Sequence, residues 1–339
     1  MEPIQLGFLY IYPFGLFFAV LLVPFFAAVS CRMKKNGLQQ GTASWFALLA
    51  VPLCFVLSRL AFCLMHLDEL LTDSGSIFRI TEGGYLLWGA VAGILLASML
   101  TGKITKQNGA AVSDSVIVAA CLLIAALRLL CGLLFTDSGI GMSLERWFDP
   151  EDTELSILAL EDYSFFERFP FAVQDYYENW CWAVFVLQAL WASLTAFLVH
   201  RSKPAPGGKT ARFLILWSCG SIALESMLYS GKVVVLPWLS FVKANQIICA
   251  VALLFVAVVC LRRLSKNRRL KQALFLFPQF LAAVGIIIIM EFSTFEKKLP
   301  ALEWLPADAC HLVIALACTW IALAFRSLWK KAYIERSPV

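Results

Sequence analysis

Charge is scarce in this chain: of 339 residues only 15% are Asp, Glu, Lys or Arg, against roughly 25% in an average soluble domain. A soluble fold of that length could not hide the apolar remainder. Histidine is scarcer still, with three residues. Neither a CxxC pair nor a His-containing ligand spacing occurs, which argues against a metal or disulfide framework. The period-2 alternation of a membrane β-barrel is missing, and so are internal repeats and low-complexity tracts. The first apolar run has no basic leader and no small-residue cleavage site, so it does not read as a cleaved signal peptide.

What remains is apolar. Hydrophobic residues make up 60% of the sequence and the mean hydropathy is +0.78. Apolar runs of about 20 residues recur, each long enough to cross a hydrocarbon core of roughly 30 Å. A backbone in lipid must bond to itself, so these runs predict helices. The expected fold is an all-α polytopic membrane protein with about nine spans, at 8–31, 43–65, 83–101, 113–135, 180–199, 211–229, 243–261, 272–291 and 309–328. The 11 cysteines lie almost entirely inside these runs and read as small buried hydrophobes.

The connections set the orientation. Arg32, Lys34 and Lys35 follow the first span, Lys103 and Lys106 the third, Arg201, Lys203, Lys209 and Arg212 the fifth, and Arg262 to Lys271 the seventh, while Arg326, Lys330, Lys331 and Arg336 follow the ninth. The alternate connections carry Asp68, Glu69, Asp73 and Glu82, and later Glu291, Glu296, Glu303 and Asp308. The positive-inside rule then places the N-terminus outside and the C-terminus in the cytoplasm, and it accounts for the formal charge of +5. The segment 136–179 is the only long connection; its acids and aromatics predict an ordered outer cap or a solvated acidic loop.

Ionisable side chains inside spans are expensive and mark candidate sites. Arg59, Arg128 and Glu225 lie in the outer halves of the second, fourth and sixth spans, with His66, Glu178, Asn245 and Gln246 near outer span ends. Two arginines at that depth suit a phospholipid phosphate, which a guanidinium grips through two parallel hydrogen bonds. Glu225 and Glu178 are expected as their partners. The competing reading is an Arg–Glu pair that only locks the bundle. His66 and His311 face outward and His200 inward, and His66 is the candidate proton acceptor of the outer zone.

Several short motifs resemble one family. Tyr12-Pro13-Phe14-Gly15-Leu16 looks like the first-helix opening of the prolipoprotein diacylglyceryl transferases, and Ser58-Arg59-Leu60 resembles the end of their second helix. Glu82-Gly83-Gly84-Tyr85-Leu86-Leu87-Trp88-Gly89 is similar to their third-helix start, and Asp114 with Arg128 to the fourth helix and its Gly-Arg-x-Gly-Asn signature. Gln174-Asp175-Tyr176-Tyr177-Glu178 resembles a stretched Gln-Leu-Tyr-Glu, Glu225 the glutamate of Arg-x-x-x-Glu, and Asn245-Gln246 the Gly-Gln opening the seventh helix. There are departures: the motif histidine is Trp88, the motif arginine is Ser221, and the signature's glycine and asparagine are Leu127 and Cys131.

The resemblance implies a seven-helix transferase-like core over 1–262 and an added transmembrane hairpin with a cytoplasmic tail over 263–339. It implies a multi-pass enzyme of the bacterial inner membrane whose partners are phosphatidylglycerol, other phospholipids and prolipoprotein signal segments. A lipobox cysteine thiolate would attack the glycerol carbon of the lipid and glycerol phosphate would leave, with no metal or organic cofactor. By this resemblance Arg128, Glu225 and, as a substitute base, His66 are the catalytic candidates; Arg59, Tyr177, Glu178, Gln246, Trp88 and Tyr12 are the substrate-binding ones. A non-catalytic relative that binds phospholipid or lipoprotein is the first alternative, and a transporter of small anions or lipids is the second. Paired helix breaks would favour a transporter, but Gly93 and Gly285 stand isolated.

Overall fold

The structure, a computed structural model, describes residues 4–6, 9–11, 13–66, 75, 85–134, 139–148, 160, 162–228, 243–296, 302 and 305–334. Two short strands, β1 (Ile4–Leu6) and β2 (Leu9–Ile11), pair antiparallel ahead of the first helix, where the sequence predicted a span already begun at residue 8. Long helices follow: α1 (Pro13–Lys35), α2 (Thr42–Met65), α3 (Leu87–Ile104) and α4 (Gly109–Leu134). After them come a short helix α5 (Leu144–Phe148), a β3–β4 hairpin (Ala172–Gln174, Trp180–Trp182), then α6 (Val184–Arg201), α7 (Gly208–Ser226), α8 (Ala244–Arg262), α9 (Lys266–Glu296) and α10 (Ala307–Tyr333).

Eight of these helices are long and apolar enough to cross a membrane. The expected sixth span forms as α7 but falls outside that set, because Lys209, Arg212 and Glu225 interrupt its 19 residues. The protein is an all-α polytopic membrane protein. Pro24, Pro52 and Pro278 lie within α1, α2 and α9, as membrane helices tolerate.

The chain divides into two compact units. One comprises 22–120 and 202–210. Here α1 closes at Gly37, whose φ of +72° an L side chain rarely adopts, and Leu38 N donates to Met33 O at 3.1 Å. α2 and α3 pack backbone to backbone. A Cβ on Gly89 would strike the backbone of Leu57 and Ser58, and one on Gly93 would strike that of Cys54, so two glycines four residues apart permit the approach. Asp114 of α4 reaches the start of α7: its carboxylate accepts from Gly207 N at 2.8 Å, Thr210 N at 2.9 Å and Thr210 Oγ1 at 2.8 Å. It serves as an N-cap supplied by another helix.

The other unit comprises 1–21, 121–201 and 211–339. Cys219 and Ile222 of α7, Leu253 of α8, Phe280 of α9 and Ile321 of α10 face a common apolar cavity. α9 and α10 are fastened to their neighbours at the lysine- and arginine-rich end. Arg269 bonds the last carbonyls of α8 (Leu261 O at 3.0 Å, Arg262 O at 3.2 Å), and Arg212 and Arg263 lie over Trp329 and Tyr333. The described part of the 136–179 connection folds into a cap whose buried centre is Met142, Leu144, Trp147, Phe148 and Ala172. Backbone bonds join that cap to the end of α7: Met142 N donates to Met227 O at 3.1 Å.

Candidate active site

The polar side chains of the larger unit gather where α7 ends, α8 begins and α9 ends. Glu225 stands in the last turn of α7, and its Oε2 accepts from Asn245 Nδ2 at 2.8 Å. Lys243, the residue before α8, is 2% exposed; its Nζ donates at 2.6 Å to each of Glu225 O and Leu228 O, at and just past the end of α7. Gln246, also buried, accepts from Lys243 N at 3.2 Å and donates through Nε2 to Glu291 Oε1 of α9 at 2.6 Å. α10 adds His311 beside them. Ser226 Oγ donates to Ala223 O at 2.7 Å and lies 3.1 Å from His311 Nδ1. The His311 ring stacks on Trp147 of the cap, 5.4 Å between centroids.

One ammonium therefore sits buried among two carboxylates and two amides, at the mouth of a helix bundle. Such a group is stable only when charges and hydrogen bonds match. It is also the arrangement that can hold an anionic substrate group and set the orientation of a working carboxylate.

Arg128, in the same unit, is half-buried toward the end of α4, near Cys131. It makes no hydrogen bond or ion pair with a described residue, so its guanidinium is not committed to a protein partner among them. Tyr177 and Glu178 occupy the tip of the β3–β4 hairpin. Asp175 Oδ1 accepts from Tyr177 N and Asn179 N at 2.9 Å each, and this turn holds Glu178 at φ +67°. Tyr177 is 79% exposed, and the exposed Glu178 carboxylate meets no described cation, unlike the arginine pairing that the sequence suggested. Beside this tip Cys181 pairs its strand inward, and burial, with the Asp175 carboxylate, pushes its thiol up to about 11.

Arg59, His66 and Trp88 belong to the other unit. Ser58 Oγ donates to Leu86 O at 2.6 Å and Leu86 N donates to Ser58 O at 3.1 Å, fixing the start of α3 against α2. Arg59 is buried, its guanidinium 5.5 Å from the centre of the Phe62 ring and 6.0 Å from that of Tyr85. His66 ends α2, stacked 4.0 Å from Phe62, with Nδ1 3.0 Å from Phe62 O. Trp88 is buried at 8% exposure in the first turn of α3. Tyr12 lies outside the described residues.

The structure thus joins Glu225 with Asn245 and, through Lys243, with Gln246. Sequence reasoning missed Lys243, Glu291 and His311 as members of this site. In the sequence Glu291 resembles a loop acid because it closes an apolar run, and Lys243 lacks the Ser, Thr, Asp or Asn identity that usually announces a helix start. The Lys-x-x-Gln spacing ahead of α8 was the available signal.

Comparison with known proteins matches residues 2–262 to the family prolipoprotein diacylglyceryl transferase. The chain belongs to that family. It is 22% identical over 267 residues to the phosphatidylglycerol–prolipoprotein diacylglyceryl transferase of Listeria welshimeri, covering 78% of this chain and 90% of the relative. It is equally similar to that of Listeria monocytogenes. A shorter stretch of 101 residues, 30% of this chain and 35% of the relative, is 28% identical to the enzyme of Halalkalibacterium halodurans.

Proposed function

We propose that this chain transfers the diacylglyceryl group of phosphatidylglycerol to the lipobox cysteine thiol of prolipoproteins, at the outer leaflet of a bacterial inner membrane. The observation that carries the reading is the family match over 2–262; the polar cluster around Glu225 supports it with a place where such chemistry fits. Residues 1–262 form the transferase core and 263–339 the added hairpin, with the N-terminus outside and the C-terminus in the cytoplasm.

The thiol gives up its proton, its sulfur forms a bond to the terminal glycerol carbon of the diacylglyceryl group, and the bond from that carbon to the phosphate oxygen breaks. Glycerol phosphate departs with the electron pair. Charge grows on the phosphate as that bond lengthens, so fixed donors aimed there lower the barrier. Arg128 holds the phosphate through paired N–H donors. Glu225, oriented by Asn245, is the carboxylate of the site, and Gln246 sets the start of α8 beside it. Tyr177 and Glu178 shape the approach of the substrates. The displacement calls for no metal or organic cofactor.

The test is complementation in a bacterium depleted of its own diacylglyceryl transferase. Growth with lipidated prolipoprotein, lost on Arg128→Ala, is the expected result. No rescue by a chain shown to be expressed and inserted would overturn the enzyme reading. The alternative, a non-catalytic binder of phospholipid, is favoured by Trp88 standing at the motif histidine and Ser221 at the motif arginine; it predicts phosphatidylglycerol binding without transfer.

A further inference from the structure

The C-terminal hairpin lies beyond the residues that the family match covers, yet one of its helices sends a polar side chain to the start of α8 and the other sends one to the end of α7. Glu291 of α9 bonds Gln246 at 2.6 Å, and His311 of α10 contacts Ser226, the residue after Glu225, at 3.1 Å. Both are buried, at 3% and 5% exposure. A hairpin that served only to add membrane area would have apolar residues at such positions, since a buried carboxylate in an apolar bundle is destabilising unless matched.

Glu291 is matched by a continuous chain of contacts. Its Oε1 takes the Gln246 Nε2–H, Gln246 Oε1 takes the Lys243 N–H at 3.2 Å, and Lys243 Nζ binds the carbonyl of Glu225. Glu225 and Lys243 also both lie within electrostatic reach of Glu291. The chain ends on the motif glutamate, one turn after position 221, where the family's arginine is replaced by serine.

We infer that the hairpin is part of the transferase site: Glu291 is a positioning residue that, through Gln246, holds the Lys243 ammonium against Glu225 in place of the missing motif arginine. The inference rests on the transferase reading. Glu291 touches no substrate in this scheme; it fixes the side chain that fixes the cation. Without it the Gln246 amide is free to turn, the Lys243 N–H loses its acceptor, and the ammonium keeps only one nearby carboxylate.

The experiment uses the purified full-length chain in detergent, with phosphatidylglycerol and a lipobox peptide as substrates and an established diacylglyceryl transferase as control. Glu291→Leu fills the same buried space without an acceptor. It should lower kcat about tenfold to a hundredfold, the loss expected when a charged hydrogen bond is removed, with KM for the lipid and the thermal midpoint little changed. Glu291→Gln keeps an acceptor for Gln246 and should restore most of kcat. Gln246→Met should fall as far as Glu291→Leu, and the double variant should be no worse than either, since both cut one chain. Wild-type kcat in Glu291→Leu, or additive losses in the double variant, overturns the inference and leaves the transferase reading standing. Loss of kcat that follows loss of thermal midpoint in every variant, Glu291→Gln included, overturns it too. A wild-type chain that is inactive beside a working control overturns the transferase reading, and the inference with it.

Discussion

Replacing Asp114 by alanine would remove one carboxylate from α4 and leave three donors behind: the amides of Gly207 and Thr210 and the Thr210 hydroxyl. The hydroxyl retains Ser113 Oγ at 2.8 Å, so the loss falls on two backbone amides at the start of α7. A hydrogen bond to a charged group contributes about 1.5–3 kcal/mol, and a buried donor left unsatisfied costs about 1–3 kcal/mol. The two figures describe the same amides and do not add, so the expected destabilisation for the two is about 3–6 kcal/mol. Asp114→Asn keeps one oxygen in place and should cost about 1–2 kcal/mol, the range of an ordinary cap replacement. The assay is unfolding of the purified protein by titration from a mild detergent into sodium dodecyl sulfate, followed by tryptophan fluorescence. An alanine variant within about 0.5 kcal/mol of wild type, or an asparagine variant less stable than alanine, would refute the capping argument.

Four further outcomes are expected. Gly89→Val drives a branched side chain into the α2 backbone at Leu57 and Ser58, and should abolish recovery of folded protein. Gly285→Ala meets nothing within 4 Å and should be neutral or stabilising by about 0.5–1 kcal/mol; both are read by size-exclusion chromatography and thermal midpoint. In a variant whose sole cysteine is Cys181, maleimide labelling at pH 7.5 should be slow and rise about tenfold per pH unit, because the thiol ionises only near 11. The raised value favours the neutral thiol in the folded state, so its contribution to stability is full below the ordinary 9.0 and is lost as pH climbs through about 11; labelling at the rate of a free cysteine would refute this. Arg128→Lys should retain more transfer than Arg128→Ala, which should lose about a hundredfold or more, because an ammonium supplies charge without the paired fork; equal losses would remove the two-bond grip.

The helices were legible because lipid imposes a length and a composition on each of them, and the starts and ends of α2, α4 and α8 fall within four residues of the spans read from hydropathy. Glu225 and Gln246 were legible as costly polar groups at span ends. Their partners were not. Gln246 and Glu291 are 45 positions apart and Ser226 and His311 are 85 apart, and hydropathy carries no information about which helix ends meet. Glu291 also closes an apolar run whose last turn is indistinguishable, by composition, from the first residue of an outer loop. The placement of α7 was readable only in part, because Lys209, Arg212 and Glu225 lower its hydropathy while Asp114 and Asn245 meet its polar ends.

The altered motifs gain a different meaning once these contacts are known. Compared position by position, serine at 221 is the loss of a cation. The chemistry of a site depends on which groups reach one place, and side chains from separate helices can reach the same place. Position 221 lies one turn before Glu225; Lys243, from the start of α8, brings an ammonium to the carbonyl of that same glutamate. His311, from α10, brings an imidazole to the next residue, Ser226. A buried ammonium needs a matching carboxylate, and Glu291 arrives on the helix that precedes α10. The hairpin and the serine at 221 are thus best understood together, as one rearrangement in which the charge lost from α7 is supplied at the start of α8 and balanced from α9.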